Sequence, residues 1–334
     1  MYELRLPSEL QSLADKGTID ADDVARLKRD VYPDGVVSPH QANAMFWLNE
    51  CCADAGPEWT TYFVDAIADH VVNQQNPAGV VDEGNGAFLF KRILNETRVV
   101  GATEMELLVK IIEIADFVPE ALRMLLLTEI KASVEDGTGP MRSGKPLTAG
   151  AIIAAEIDLV KRSINGLAAK NNINISRKEA EILFDLNEAI VGSEGHSEWT
   201  KLFVCAIANH VMSARTWEVS SQDVVAAEEG VEDIAPLEDR DDVLGFLSRV
   251  AASRLSDTLT ALKTSADNAA AKQRQIEARL TGAEMISHSE AEWLNQRIAR
   301  DGVMHGNEKA LLNFIAEEAP EVHPSLKVLV ASAA

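Results

Sequence analysis

Four stretches carry residue types at spacings that metal, phosphate or acid–base chemistry could use. Asp30-Val31-Tyr32-Pro33-Asp34-Gly35-Val36-Val37-Ser38-Pro39-His40-Gln41 follows the register of a calcium-binding helix-loop-helix, with Asp at positions 1 and 5, Gly at 6 and Ser at 9. Position 3 is Tyr32, and position 12 is Gln41, an amide where a bidentate carboxylate secures Ca2+. That argues against a high-affinity site and leaves open weak divalent-cation binding on the acidic turns or a plain interhelical turn. Gly139-Pro140-Met141-Arg142-Ser143-Gly144-Lys145-Pro146 approaches a phosphate-binding loop. Pro146, however, replaces the hydroxyl that would meet Mg2+, and no strand precedes the loop to aim its amides, so it reads as linker.

The other two stretches come in pairs. His70 and His210 fall at equivalent helix positions, but Asp65 and Ala66 precede one where Cys205 and Ala206 precede the other, so no ligand set repeats. An imidazole near a helix end serves the terminal carbonyls and the dipole instead. Asn49-Glu50 and Asn187-Glu188 recur late in their helices, where packing does not require polar residues. A polar site facing the next helix pair and a helix-closing role are equally open there. No Ser/His/Asp or Cys/His constellation is present, nor H-E-x-x-H, so no catalytic residue is assigned. Cys51 and Cys52, late in an apolar helix, are expected to be buried and inert. With Cys205 they make an odd count that argues against a disulfide framework.

These residues sit on helices. Aromatic residues are 5% of the chain, and apolar residues recur three and four apart, as in Phe63, Val64, Ile67 and Val71, so the expected fold class is all-α. Ser38 with Gln41, Ser176 with Glu179, and Ser287 with Glu290 have the spacing of capping boxes. The segment Val37–Glu50 aligns without gaps on Ile175–Glu188, and Trp59–Val71 aligns on Trp199–Val211 with nine identities. The chain therefore reads as a tandem duplication of a multi-helix bundle. Trp59 and Trp199 are expected to anchor the two cores. Each half carries a second, weaker helix-turn-helix unit, around Val99–Leu108 and Val303–Leu312. The expected division is a first bundle over 1–134, a linker over 135–146 and a second bundle over 147–334, with an insertion at about 213–282. That insertion opens with an acidic stretch and continues in a long helix from about Val243 to Leu280.

The chain has 334 residues, 46% of them hydrophobic and 25% charged, which suits an ordinary globular protein. Its formal charge is −22, against a general role in nucleic-acid binding, which needs clustered Lys and Arg. Between Glu218 and Asp242, ten acidic residues stand against the single Arg240, so nine of those 22 units lie in that stretch. No secretory signal and no membrane-spanning run is legible, and a cytoplasmic location is expected.

The plan of helix, Asp-Gly turn, apolar pair and acidic residue in the following helix resembles the TerB-like domain of tellurite-resistance and stress-response proteins. It is carried by Asp34-Gly35-Val36-Val37-Ser38 through Gln41, and by Asp301-Gly302-Val303-Met304 through Glu308. The resemblance implies a non-enzymatic, acidic helical domain linked to sensing of Ca2+ or another divalent cation and to complexes at the membrane periphery. Any metal site it carries over rests on Asp30, Asp34, Asp301 and Glu308. Three readings follow: an interaction or scaffold protein that binds a protein partner through 213–282, a metal-dependent enzyme with a carboxylate-lined site between helices, and an acidic assembly subunit that recruits a basic partner.

Overall fold

The structure is a computed structural model. It describes every residue except 1–6, 37, 53, 95–99, 143–146, 170–174, 191–196, 213–285, 299, 301, 319–322 and 334. The described residues are mostly helical, and they form two compact units that divide between 171 and 172. No helix among them is long and apolar enough to cross a membrane. The inserted segment 213–282, Asp301 and the turn residues at 97–98 and 172–173 lie outside the described residues.

Unit 1 holds α1 (Ser8–Lys16), α2 (Ala21–Arg26), α3 (Pro39–Cys51), α4 (Pro57–Val72), α5 (Glu83–Ile93), α6 (Ala102–Ile114), α7 (Glu120–Asp136) and α8 (Ala154–Ala169). A π-helical turn, Leu27–Val31, follows α2, and two short strands, Thr18–Ile19 and Asp54–Ala55, pair in parallel. Unit 2 holds α9 (Arg177–Ala189), α10 (Ser197–Met212), α11 (His288–Arg297), α12 (Gly306–Glu318) and α13 (Lys327–Ala333).

Helix starts lie where the hydroxyls predict. Ser176 Oγ accepts from Glu179 N at 3.2 Å while Ser176 N donates to Glu179 Oε2 at 2.8 Å, and Ser287 with Glu290 repeats the exchange at 3.3 and 3.2 Å. Ser38 caps one-sidedly: Gln41 N donates to its hydroxyl, which in turn donates to Gln41 Oε1 rather than leaving that oxygen for the backbone. The three-and-four spacing on α4 places Phe63, Ile67 and Val71 fully inside.

The expected linker at 135–146 is not where the chain divides. Arg142 is buried at the end of a short turn, with Nε 2.7 Å from Glu156 Oε1, and Nη2 2.9 Å from Glu156 Oε2 and 2.7 Å from Ala151 O. A bidentate buried pair of this kind cannot open without stranding a charge. The following α8 then packs on α6 and α7, which carries the first unit on to residue 171. Arg162 of α8 reaches Glu106 at 2.7 Å and Glu113 at 2.8 Å, both on α6.

The aligned helices α6 and α12 differ in how far their apolar surface extends. Met105, Val109 and Ile112 of α6 are buried, whereas their counterparts on α12, Lys309, Asn313 and Ala316, are exposed. The first is apolar around most of its circumference, and the second has one dry face.

Gly166 sets how closely α8 approaches α6. A Cβ there would lie 3.0 Å from Ile112 O and 3.1 Å from Glu113 Cα, both backbone atoms that cannot swing away. Gly166→Ala is therefore expected to destabilise unit 1 by about 1–3 kcal/mol through overpacking, although Ala is the better helix former. Urea denaturation followed by circular dichroism checks this, and a stabilised variant would refute the close contact.

Candidate functional site

The repeated asparagines occupy matching buried positions and join three helices in each unit. In unit 1, Asn49 of α3 accepts from Trp59 Nε1 of α4 at 2.9 Å and donates through Nδ2 to Glu104 Oε1 of α6 at 2.8 Å. In unit 2, Asn187 Oδ1 of α9 accepts from Trp199 Nε1 of α10 at 3.1 Å and from Asn307 Nδ2 of α12 at 2.7 Å. A side contact accompanies each: Thr60 with Thr103 at 3.5 Å, and Thr200 donating to Asn307 Oδ1 at 2.7 Å. Of these pairs the asparagines face the neighbouring helices, whereas Glu50 is exposed and Glu188 meets Arg300 at 3.0 Å. Trp59 and Trp199 anchor their cores at 0% and 1% exposure.

Aromatic packing around each joint also matches. Phe46 meets Phe63 edge-on at 5.1 Å and 88°, and Phe184 meets Phe203 at the same distance and angle. Phe88 of α5 completes the first cluster at 5.8 Å and Trp293 of α11 the second at 5.4 Å. The arrangement holds helices in place, since its donors and acceptors face one another in the dry interior.

The residues singled out for metal binding fall in different surroundings. Asp30 is half exposed and engaged by Arg29, whose Nε and Nη2 lie 2.8 and 2.7 Å from its oxygens and hold its carboxyl below the ordinary range. Asp34 is exposed on the turn that Gly35 N closes onto Tyr32 O at 3.0 Å. Gly35 has φ 79° and Gly302 φ 85°, so each glycine takes a left-handed conformation that other residues rarely adopt. Glu308 is buried, and its Oε2 accepts from His305 N at 2.8 Å in the first turn of α12. Asp30 and Asp34 belong to unit 1 and Glu308 to unit 2, while Asp301 lies outside the described residues. Among the described residues no three His, Cys, Asp or Glu side chains form a group able to hold a metal ion.

The paired histidines have unlike surroundings. His70 is buried with Nδ1 3.4 Å from Gln74 Oε1, and His210 has Nδ1 2.7 Å from Ile175 O. Cys52 is buried and points its thiol at Leu13 O, 3.5 Å away, whereas Cys51, expected inside, is exposed because the last turn of α3 presents it to solvent. Partial burial first, and then Glu50, raises the Cys51 thiol above its ordinary value, the opposite of an activated nucleophile.

Spacing alone misses the ionic cluster between α9 and α11. Arg297 reaches Glu181 at 3.0 Å, Asp185 at 2.7 Å and Glu188 at 3.4 Å, and lies 5.1 Å over the Phe184 ring. Trp293 Nε1 donates to Glu181, and Arg300 reaches Glu188 at 3.0 Å. The signal available was the helical stripe Glu181, Asp185, Glu188, which lines up on Asn43, Trp47 and Glu50 of the first half. The chain matches no family model, no curated protein and no solved structure.

Replacing the joint tests its weight. Asn49→Leu leaves the Trp59 indole N–H and a carboxylate oxygen of Glu104 without this partner, and is expected to cost ~3 kcal/mol or more. Asn187→Leu deprives only neutral donors, and a smaller loss of about 1–3 kcal/mol is expected. Chemical denaturation of the two variants compares them, and equal losses would contradict the special weight of the buried carboxylate.

Proposed function

We propose that this chain is a non-enzymatic, cytoplasmic interaction protein that recruits a basic partner through the acidic insertion at 213–282. The observation that carries the reading is the placement of charge: nine of the 22 units of net negative charge lie within Glu218–Asp242, in a stretch with no counterpart in the first half. Within the units, several acidic groups are tied to structural tasks. Glu156 neutralises Arg142, Glu179 and Glu290 close capping boxes, and Glu181, Asp185 and Glu188 surround Arg297. The two helical units then serve as a scaffold that displays the insertion.

The finer part of the proposal is kinship with TerB-like domains and tuning by Ca2+ or another divalent cation. It rests on the Asp-Gly turns, where Asp34 is the exposed carboxylate. Calorimetric titration of the full chain with Ca2+ is expected to give weak heats that Asp34→Asn reduces. Heats unchanged by that substitution would remove the turn from consideration.

Deleting 213–282 is expected to leave the two helical units folded, with a cooperative thermal transition, and to abolish the proteins co-purified with the full chain from its native host. The captured complex should weaken steeply as salt rises, since attraction between exposed charges is screened beyond about 8 Å at physiological ionic strength. A deletion variant that keeps its partners would overturn the proposal.

A further inference from the structure

His210 lies in the last turns of α10, against the start of α9 and the indole of α11. Its Nδ1 is 2.7 Å from Ile175 O, and because a carbonyl only accepts, that nitrogen carries the proton. The other nitrogen, Nε2, is therefore a bare acceptor, and among the described residues it is buried with no hydrogen-bond partner. The ring meets Trp293 edge-on at 5.1 Å, and the Arg177 guanidinium lies 4.5 Å over that same indole.

We propose that His210 is a proton-sensitive latch, which holds the end of α10 to the start of α9 only while its imidazole is neutral. Protonation would place a new N–H at a buried position that offers no acceptor, and a second cation beside Arg177. The charged groups facing the ring from α9 are Arg177, Glu179 and Glu181, and α11 contributes the uncharged indole of Trp293. Neither carboxylate is free to receive the new proton: Glu179 closes the capping box with Ser176, and Glu181 accepts from Trp293 and pairs with Arg297. Burial, the largest influence, holds the His210 imidazole below its ordinary value of 6.5, with Ile175 O opposing and Arg177 reinforcing the shift. A group depressed in the folded state adds stability that is fully present above 6.5 and is lost as pH falls below that value.

Among the described residues the aligned His70 has a different partner, the Gln74 side chain at 3.4 Å, and Val37, which aligns with Ile175, lies outside them. The latch lies two residues before the end of α10 at Met212, where the chain leaves the described helix toward the acidic insertion. It is independent of what that insertion binds.

Two measurements on the full chain test it. The thermal midpoint of the wild type is expected to fall by a few degrees as pH drops from 7 to 5. His210→Asn, whose amide N–H can still reach Ile175 O but does not titrate, should remove most of that fall, and His70→Asn should keep it. If His210→Asn retains the wild-type slope, the latch is refuted. Should that variant fail to fold, the imidazole nitrogens of the 15N-labelled wild type decide the matter by NMR. A signal protonated at Nδ1, and still neutral just below pH 6.5, is expected. An Nε2-protonated ring, or one that titrates at its ordinary value, overturns the proposal.

Discussion

A single asparagine amide in each unit ties two successive helices to a third that is distant in sequence. An amide offers an acceptor and donors in one plane, so Asn49 takes the indole N–H of Trp59 while giving its own N–H to Glu104. In a dry interior each such bond is costly to leave unmade, which restricts the helices to the few orientations that satisfy all of them. The edge-on contact of Phe46 with Phe63 depends on that restriction, as does the matching contact of Phe184 with Phe203. Hydrophobic burial alone would tolerate many sliding arrangements of the same helices.

What is built around the joint differs between the units. On α6, a nearly complete apolar circumference accepts α4 on one side and α8 on the other, with Arg162 clamped between Glu106 and Glu113 and Gly166 permitting the close approach. On α12, Lys309, Asn313 and Ala316 replace the second apolar stripe with exposed positions. Unit 2 instead invests charge in the seam between α9 and α11, where Arg297 lies among three carboxylates and over an aromatic ring. A buried cation so surrounded is difficult to remove and easy to aim, so it favours one helix register over others.

The net charge of −22 has two components with different physical meaning. Inside the units, several carboxylates cap helices or pair with arginine, and they act through geometry. The acidic stretch Glu218–Asp242 has a single arginine for ten carboxylates, so its charge is largely uncompensated by its own residues.

The sequence by itself determined the helices, their capped starts and the correspondence between the two halves. Those properties depend on residues three or four apart, where local geometry and hydrogen bonding decide. It singled out Asn49 and Asn187 as polar residues needing a reason, but not what they bind, because Glu104 and Asn307 lie 55 and 120 residues away. Tertiary structure alone decided that Arg142, within the Gly/Pro stretch, is anchored and that α8 belongs to the first unit. A buried ion pair and a helix seated on an apolar face depend on distance through space, which composition and spacing do not encode. The unequal fates of His70 and His210 have the same cause: identical residues at aligned positions meet a side-chain amide in one unit and a backbone carbonyl in the other.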